Sequence, residues 1–180
     1  MSRIFLVGFM GVGKTTLGKA LAKKAGFSFL DLDAYIETRM QQSIRQLYTA
    51  LQEEKFRLLE KQMLHEVAEM EDVVISTGGG TPCFFDNMLW MNKRGKTVFL
   101  QATLEVLFAR LKVGRETRPL LANLTDKELK LFIDSRFKER LPFYQLAVYT
   151  YSSDHLESLA ELDNSVEELL DLLAEGKTLK

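Results

Sequence analysis

Gly8-Phe9-Met10-Gly11-Val12-Gly13-Lys14-Thr15 fits the pattern G-x-x-x-x-G-K-[ST], and that spacing has one well-understood use. Glycines let backbone N–H groups turn inward around a polyphosphate, and a helix that follows directly presents its positive N-terminal end to the same anion. In this arrangement Lys14 reaches the terminal phosphates and the Thr15 hydroxyl faces Mg²⁺. The context agrees: an apolar run, Ile4 to Val7, precedes the loop, and a helix-like stretch, Thr16 to Ala25, follows it.

Other groups are suited to act on whatever the loop holds. Asp31 and Asp33 stand two apart at the end of an apolar segment, where one carboxylate can support a metal or its waters and the other can take a proton from a hydroxyl. The plainer use of Asp33 is as the N-cap of the next helix. Thr77-Gly78-Gly79-Gly80 offers bare backbone amides to a close-lying ligand. No acid stands at that strand end, where many phosphate-loop ATPases carry their metal-binding acid. Arg57 follows the core position Phe56 and has Glu60 at i+3, so it is either half of a surface ion pair or a fork for a small carboxylate. Arg115-Glu116-Thr117-Arg118-Pro119-Leu120-Leu121 is expected to be non-helical, because Pro119 disfavours helix at Arg118. An arginine on such a segment can close over a transferring phosphate. Arg136 and Arg140 share one helix, and spacing alone does not choose between them. His65, His155, Cys83 and Trp90 read as structural, with Cys83 and Trp90 buried.

These groups need a scaffold, and the apolar pattern supplies one. Strands are expected at Ile4–Val7, Phe27–Leu30, Val73–Ile75, Thr97–Leu100 and Val148–Tyr151. Helices are expected between them, at about Thr16–Ala25 (closed by Gly26), Glu53–Glu69, Asp86–Lys93 and Leu104–Lys112. Thr125-Asp126-Lys127-Glu128 is a capping box for a helix ending near Pro142, and Ser165-Val166-Glu167-Glu168 a second box opening a C-terminal helix. Five apolar strands alternating with helices imply a three-layer α/β/α fold around a parallel five-stranded sheet. The phosphate loop, the aspartate pair and the triple glycine all fall just past strands, where such sheets bind ligands.

Composition sets the outer limits. With 180 residues the chain is expected to form one domain, and 46% hydrophobic with 27% charged residues is the balance of a globular protein. A net charge of −1 provides no field for a nucleic-acid backbone or an anionic membrane. One cysteine allows no internal disulfide, no apolar run approaches a membrane span, and the cytoplasm is the expected location.

Taken in order, these motifs resemble those of the shikimate kinase family: Gly8–Thr15, Asp31-Leu32-Asp33, Phe56-Arg57-x-x-Glu60, Gly78-Gly79-Gly80, Arg118-Pro119-Leu120-Leu121 and Arg140-x-x-x-Tyr144. The resemblance implies a phosphate-loop kinase fold, with a substrate-binding region at about 33–60 and a lid at about 113–125. It implies transfer of the ATP γ-phosphate to the 3-hydroxyl of shikimate, a step toward aromatic amino acids, with Mg²⁺; the chain is expected to be a monomer. It assigns nucleotide contacts to Gly11, Val12, Gly13, Lys14, Thr15 and Thr16, and metal contacts to Thr15 and Asp31. Asp33 becomes the candidate base and holds the acceptor hydroxyls. Arg57 and Arg140 grip the acceptor carboxylate, Gly79 and Gly80 meet the acceptor through backbone, and Arg118 joins Lys14 at the transferring phosphoryl. An arginine before the lid stacks on adenine; Arg110 takes that position, with Arg115 competing, and the adenine loop falls near Ser152–His155.

Two other readings share the loop. A kinase for another hydroxylated acid, such as gluconate, is disfavoured by Phe-Arg-x-x-Glu with the triple glycine. A guanine-nucleotide switch is disfavoured because Asn92-Lys93-Arg94-Gly95 lacks the aspartate of N-K-x-D.

Overall fold

Val73–Ser76 (β3) is buried at every position and Arg3–Val7 (β1) at four of five, as expected of strands covered on both faces. The computed structural model describes residues 2–118 and 120–176; Pro119 of the Arg-Pro-Leu-Leu motif lies outside the described residues. Strands Ser28–Asp31 (β2), Lys96–Gln101 (β4) and Tyr149–Ser152 (β5) complete a five-stranded, all-parallel sheet of order β2-β3-β1-β4-β5. From β1 the chain crosses to β2 at the edge, returns through β3 beside β1, and then passes to β4 and β5 on the other side of β1. The loop after β1 therefore opens into the crevice between β3 and β4, the switch point at which such sheets bind ligands.

Eight or more residues of helix follow each strand except β3, whose triple glycine leads first into a short 3₁₀ turn at Thr81–Cys83. Helix α1 (Lys14–Ala25) packs on β2 and β3, and against the last helix, α7 (Leu159–Glu175). Helix α4 (Asn87–Arg94) packs on β4, and α5 (Leu104–Val113) packs against α6 (Asp126–Tyr144). Leu17 and Leu21 on α1, Leu107 and Leu111 on α5, and Leu169 on α7 are fully buried. Each contributes about 1.5–3 kcal/mol of transfer free energy.

The expected helices are found with four differences. Helix α2 (Leu32–Met40) was not anticipated, and Asp31 rather than Asp33 is its N-cap, accepting from the Ala34 amide at 3.3 Å. Its apolar positions are too sparse for periodicity to register; only Leu32 and Ile36 are buried. Helix α3 spans Ile44–Val67, starting well before Glu53, because Ser43 and Gln46 form a capping box upstream; it breaks at Gln52, whose φ/ψ of 62°/171° is non-helical. Helix α7 starts at Leu159 from a box made by Ser158 and Glu161, not at Ser165. The stripe Leu162, Val166, Leu169, Leu173 begins before Ser165, which sits inside the helix and donates to the His155 carbonyl at 3.2 Å. Residues Arg115–Thr117 form a 3₁₀ turn, after which Arg118 is extended (φ −114°, ψ 105°), as a residue before proline must be.

Two side chains expected in the core are not fully enclosed. Trp90 is partly exposed and stacks on His65, with ring centroids 3.9 Å apart, while the Arg94 guanidinium lies 5.2 Å from its ring centroid. Cys83 is also partly exposed, although burial still pushes its thiol up to about 11, so it stays protonated. Asn92 ties α4 to the sheet instead of meeting a base: it donates to the Leu146 carbonyl and accepts from Thr97.

Candidate active site

A cleft of about 490 Å³ opens at the carboxyl ends of the strands, and the phosphate loop is its floor. The loop is anchored from below: Phe9 is completely buried and meets Phe137 of α6 edge-on at 6.0 Å. Gly13 occupies the N-cap position of α1 and contributes no side chain there, leaving the first amides of the helix for an anion. Lys14 is 9% exposed, and its ammonium donates to the carbonyls of Gly8 and Phe9 at 2.8 and 2.9 Å. Burial lowers it to about 8, against the pull of Asp33 and Asp31.

The sheet register explains how an acid reaches the loop although β3 ends without one. Asp31 on β2 lies directly across from Ser76 on β3. One Asp31 oxygen caps α2, and the other accepts from the Thr15 hydroxyl at 3.0 Å. A hydroxyl and a carboxylate thus meet at the mouth of the loop. Leu32 is fully buried, and Asp31 and Asp33 on either side of it both line the cleft. Asp33 is pushed up to about 6, first by burial, then by the negative charges of Glu60 and Asp31, with Lys14 and Glu37 the other charges acting on it.

The triple glycine packs against this acidic end. A Cβ on Gly78 would stand 2.8 Å from Asp33 Oδ1 and 3.1 Å from Glu60 Oε1. One on Gly80 would stand 2.8 Å from both terminal nitrogens of Arg57, and one on Gly79 would stand 3.3 Å from Arg140 Nη1. Both guanidiniums therefore lie close against the backbone, and a larger residue at either position would have to displace them. The Arg57–Glu60 pair is not at the surface: its oxygen–nitrogen distance is 2.8 Å, and the side chains are only 11% and 2% exposed. Phe84 lies 4.2 Å from the Arg57 guanidinium, adding a cation–π contact. Arg136 turns away and pairs with Glu139 in solvent, so of these two arginines on α6 it is Arg140 that lies beside the triple glycine. Tyr144, one turn further on, is buried and donates to the Gly79 carbonyl at 2.6 Å.

At the opposite end, Arg110 lines the cleft, donating to the carbonyls of Ser153 and Val12 at 2.9 and 3.4 Å and pairing with Glu157 at 2.8 Å. Arg115 instead binds the Leu124 carbonyl and Asp126, outside the cleft. Arg118 lines the cleft, with Nη1 buried and unpartnered among the described residues. Gly11, Gly13 and Thr16 also line it, while Val12 is buried beneath. Sequence reasoning missed Leu156 and Glu157, which close this end, and the Thr81 hydroxyl. None belongs to a local pattern; each is brought in by a loop whose path depends on the fold.

Comparison with known proteins agrees with this geometry. A family model described as shikimate kinase matches residues 10–174. A shikimate kinase of Phocaeicola vulgatus is 53% identical over 169 residues, covering 94% of this chain and 97% of the relative. The crystal structure of shikimate kinase from Bacteroides thetaiotaomicron superposes with a TM-score of 0.94 at 51% identity, over 96% and 98% of the two chains. Shikimate kinase from Acinetobacter baumannii, solved in complex with shikimate, gives a TM-score of 0.83 at 31% identity over 100% and 96%. A gluconokinase from Sinorhizobium meliloti, at 15% identity and a TM-score of 0.56, shares the fold alone.

Proposed function

The chain belongs to the shikimate kinase family and transfers the γ-phosphate of ATP to shikimate, and we propose that the phosphate goes to the 3-hydroxyl with the cleft residues in the following roles. The observation that carries the assignment of roles is the convergence of Asp33, Arg57 and Arg140 on the triple glycine, at one end of a cleft floored by the phosphate loop. A small acid with several hydroxyls matches that end: two guanidiniums for the carboxylate, one carboxylate for the hydroxyls, and backbone amides between.

The amides of Gly11 to Thr16 cradle the phosphates, and Arg110 meets the adenine from the Ser153 side. Asp33 accepts the proton of the attacking hydroxyl, a task suited to a carboxyl held near 6. Lys14 leaves the two loop carbonyls for the phosphate oxygens. The unpartnered donor of Arg118 supplies the second positive charge at the transferring group, a contribution that in such reactions is worth about 10³–10⁵ in rate. Segment 113–125 acts as the lid that excludes water, and residues 33–60 form the acceptor-binding region. Thr15 and Asp31 supply two hard oxygens 3.0 Å apart, a set that suits Mg²⁺, which keeps waters and phosphate oxygens as its other ligands. That ion would neutralise charge on the β- and γ-phosphates.

A coupled ADP-release assay over shikimate, gluconate and other hydroxylated acids, with and without Mg²⁺, tests the proposal. Mg²⁺-dependent turnover with shikimate preferred, and phosphate found on the 3-hydroxyl by NMR, is the expected result. Phosphorylation at another hydroxyl, or undiminished turnover after Mg²⁺ is chelated, would refute the corresponding role.

A further inference from the structure

The triple glycine is followed by a residue whose side chain does have chemistry. Thr81 is completely buried at the start of the 3₁₀ turn, and its backbone is held at both ends: its amide donates to the Gly78 carbonyl at 3.2 Å, and its carbonyl accepts from Asn87 at 2.9 Å. Asn87 is itself fully buried. With its backbone pinned, the Thr81 hydroxyl is aimed at a single target, donating to Glu60 Oε1 at 2.6 Å. That length is typical of a charge-assisted O–H···O⁻ bond. The other oxygen, Glu60 Oε2, accepts from Arg57 at 2.8 Å.

Glu60 is 1% exposed, so no bulk water replaces a missing donor. Among the described residues, Thr81 and Arg57 are its two hydrogen-bond donors, one to each oxygen. A buried carboxylate that loses one of two donors either turns or recruits another group, because an unsatisfied oxygen there is costly. Either response moves the groups Glu60 controls. One is Arg57, held against Gly80; the other is Asp33, whose Oδ1 shares the space beside Gly78 with Glu60 Oε1 and Thr81 Oγ1. Both act on the acceptor in the proposed roles, and among the described residues no hydrogen bond joins this network to the nucleotide end.

We propose that Thr81 is a positioning residue for the acceptor site: its hydroxyl locks the Glu60 carboxylate in the orientation that holds Arg57 against Gly80 and beside Asp33. The proposal rests on shikimate being the acceptor. It makes the acceptor half of the cleft dependent on a hydroxyl that touches neither substrate.

The test is steady-state kinetics on the full chain for wild type, Thr81→Val, Thr81→Ser, Glu60→Gln and the double variant Glu60→Gln/Thr81→Val, with thermal melting of each. Thr81→Val keeps the shape and removes the donor. It is expected to raise the KM for shikimate about tenfold, while the KM for ATP stays within about twofold; tenfold corresponds to roughly 1.4 kcal/mol, the scale of one hydrogen bond. Thr81→Ser recovers most of the loss. In the Glu60→Gln background, Thr81→Val adds less than in wild type, because the charge through which residue 60 holds Arg57 is already gone. If Thr81→Val does not fold, Thr81→Ala replaces it in the same comparison. An unchanged shikimate KM, an equal rise in both KM values, failure of serine to rescue, or full additivity with Glu60→Gln would each overturn the proposal. A wild-type chain that does not phosphorylate shikimate would overturn the acceptor assignment as well, so the two failures are told apart by the wild-type assay.

Discussion

Two buried groups of opposite charge set the chemistry at the residue scale, and neither is comfortable in its charged form. Asp33 titrates near 6 and Lys14 near 8 because burial works against each charge more strongly than they support one another. In the roles proposed for them, Asp33 must be ionised to act as base and Lys14 protonated to act as phosphate clamp. The pH profile of kcat/KM for shikimate is therefore expected to be bell-shaped, with limbs near 6 and 8. The same shift has a stability consequence. A carboxyl whose folded value lies above its unfolded value of 3.8 costs nothing below that pH, and its full penalty is present above about 6. Asp33→Asn should therefore be more stable than wild type at pH 7.5, by something on the order of 2–3 kcal/mol, and no more stable at pH 4, while its turnover collapses. Urea unfolding at the two pH values checks the sign; an equal difference at both would show that Asp33 carries no titration penalty. Arginine identity is the other residue-scale matter. Arg57→Lys keeps a charge beside Glu60 but loses the fork, and should raise the shikimate KM about tenfold. Arg136→Ala, which removes a solvent-exposed pair, should leave both KM values within about twofold.

At the scale of elements, register and capping decide where those residues stand. Asp31 reaches the phosphate loop because β2 pairs with β3 so that Asp31 faces Ser76, and a shift of one residue would turn it to the other face. The Asp31 side chain also starts α2, so the acid that faces Thr15 doubles as the cap that sets the path toward Asp33. Helix α7 shows what local pattern leaves undecided. Ser158 and Ser165 both begin an S-x-x-E sequence, and only the apolar stripe across α1 selects the earlier one. Ser158→Ala should cost about 1 kcal/mol in a urea unfolding experiment and leave turnover intact, since α7 lines no part of the acceptor end. A neutral result would mean that the helix starts elsewhere.

For the whole molecule, the sheet order places β1 between β3 and β4 and makes one crevice from segments far apart in sequence. Burying Lys14 there without its ligand holds a strained charge that a polyphosphate relieves. At pH 8, where the free ammonium is about half protonated, ATP binding should draw in roughly half a proton. Calorimetry in buffers of different ionisation enthalpy would detect this, and Lys14→Arg, charged throughout, should show none. A buffer-independent enthalpy for wild type would contradict the depressed value.

Much of this is legible in the sequence, for a physical reason. The phosphate loop, Asp31-Leu32-Asp33 and the triple glycine are short-range motifs whose function follows from backbone geometry over a few residues, and buried parallel strands announce themselves as apolar runs. The five strands and their parallel order of layers came from that alone. What remained open depended on contacts across the chain. Arg136 and Arg140 differ only in which faces Gly79, Arg110 and Arg115 only in which faces Ser153, and Ser158 and Ser165 only in which precedes the stripe that packs. Spacing cannot rank such pairs, because the partners that discriminate between them lie from about 40 to about 140 residues away. The amino-acid sequence by itself determined that a nucleotide is held and that an acid and arginines await an acceptor. Tertiary packing alone placed Arg57 and Arg140 beside the triple glycine, and added the Thr81 hydroxyl that no local pattern reveals, because its significance lies in Glu60 being buried where water cannot take its place.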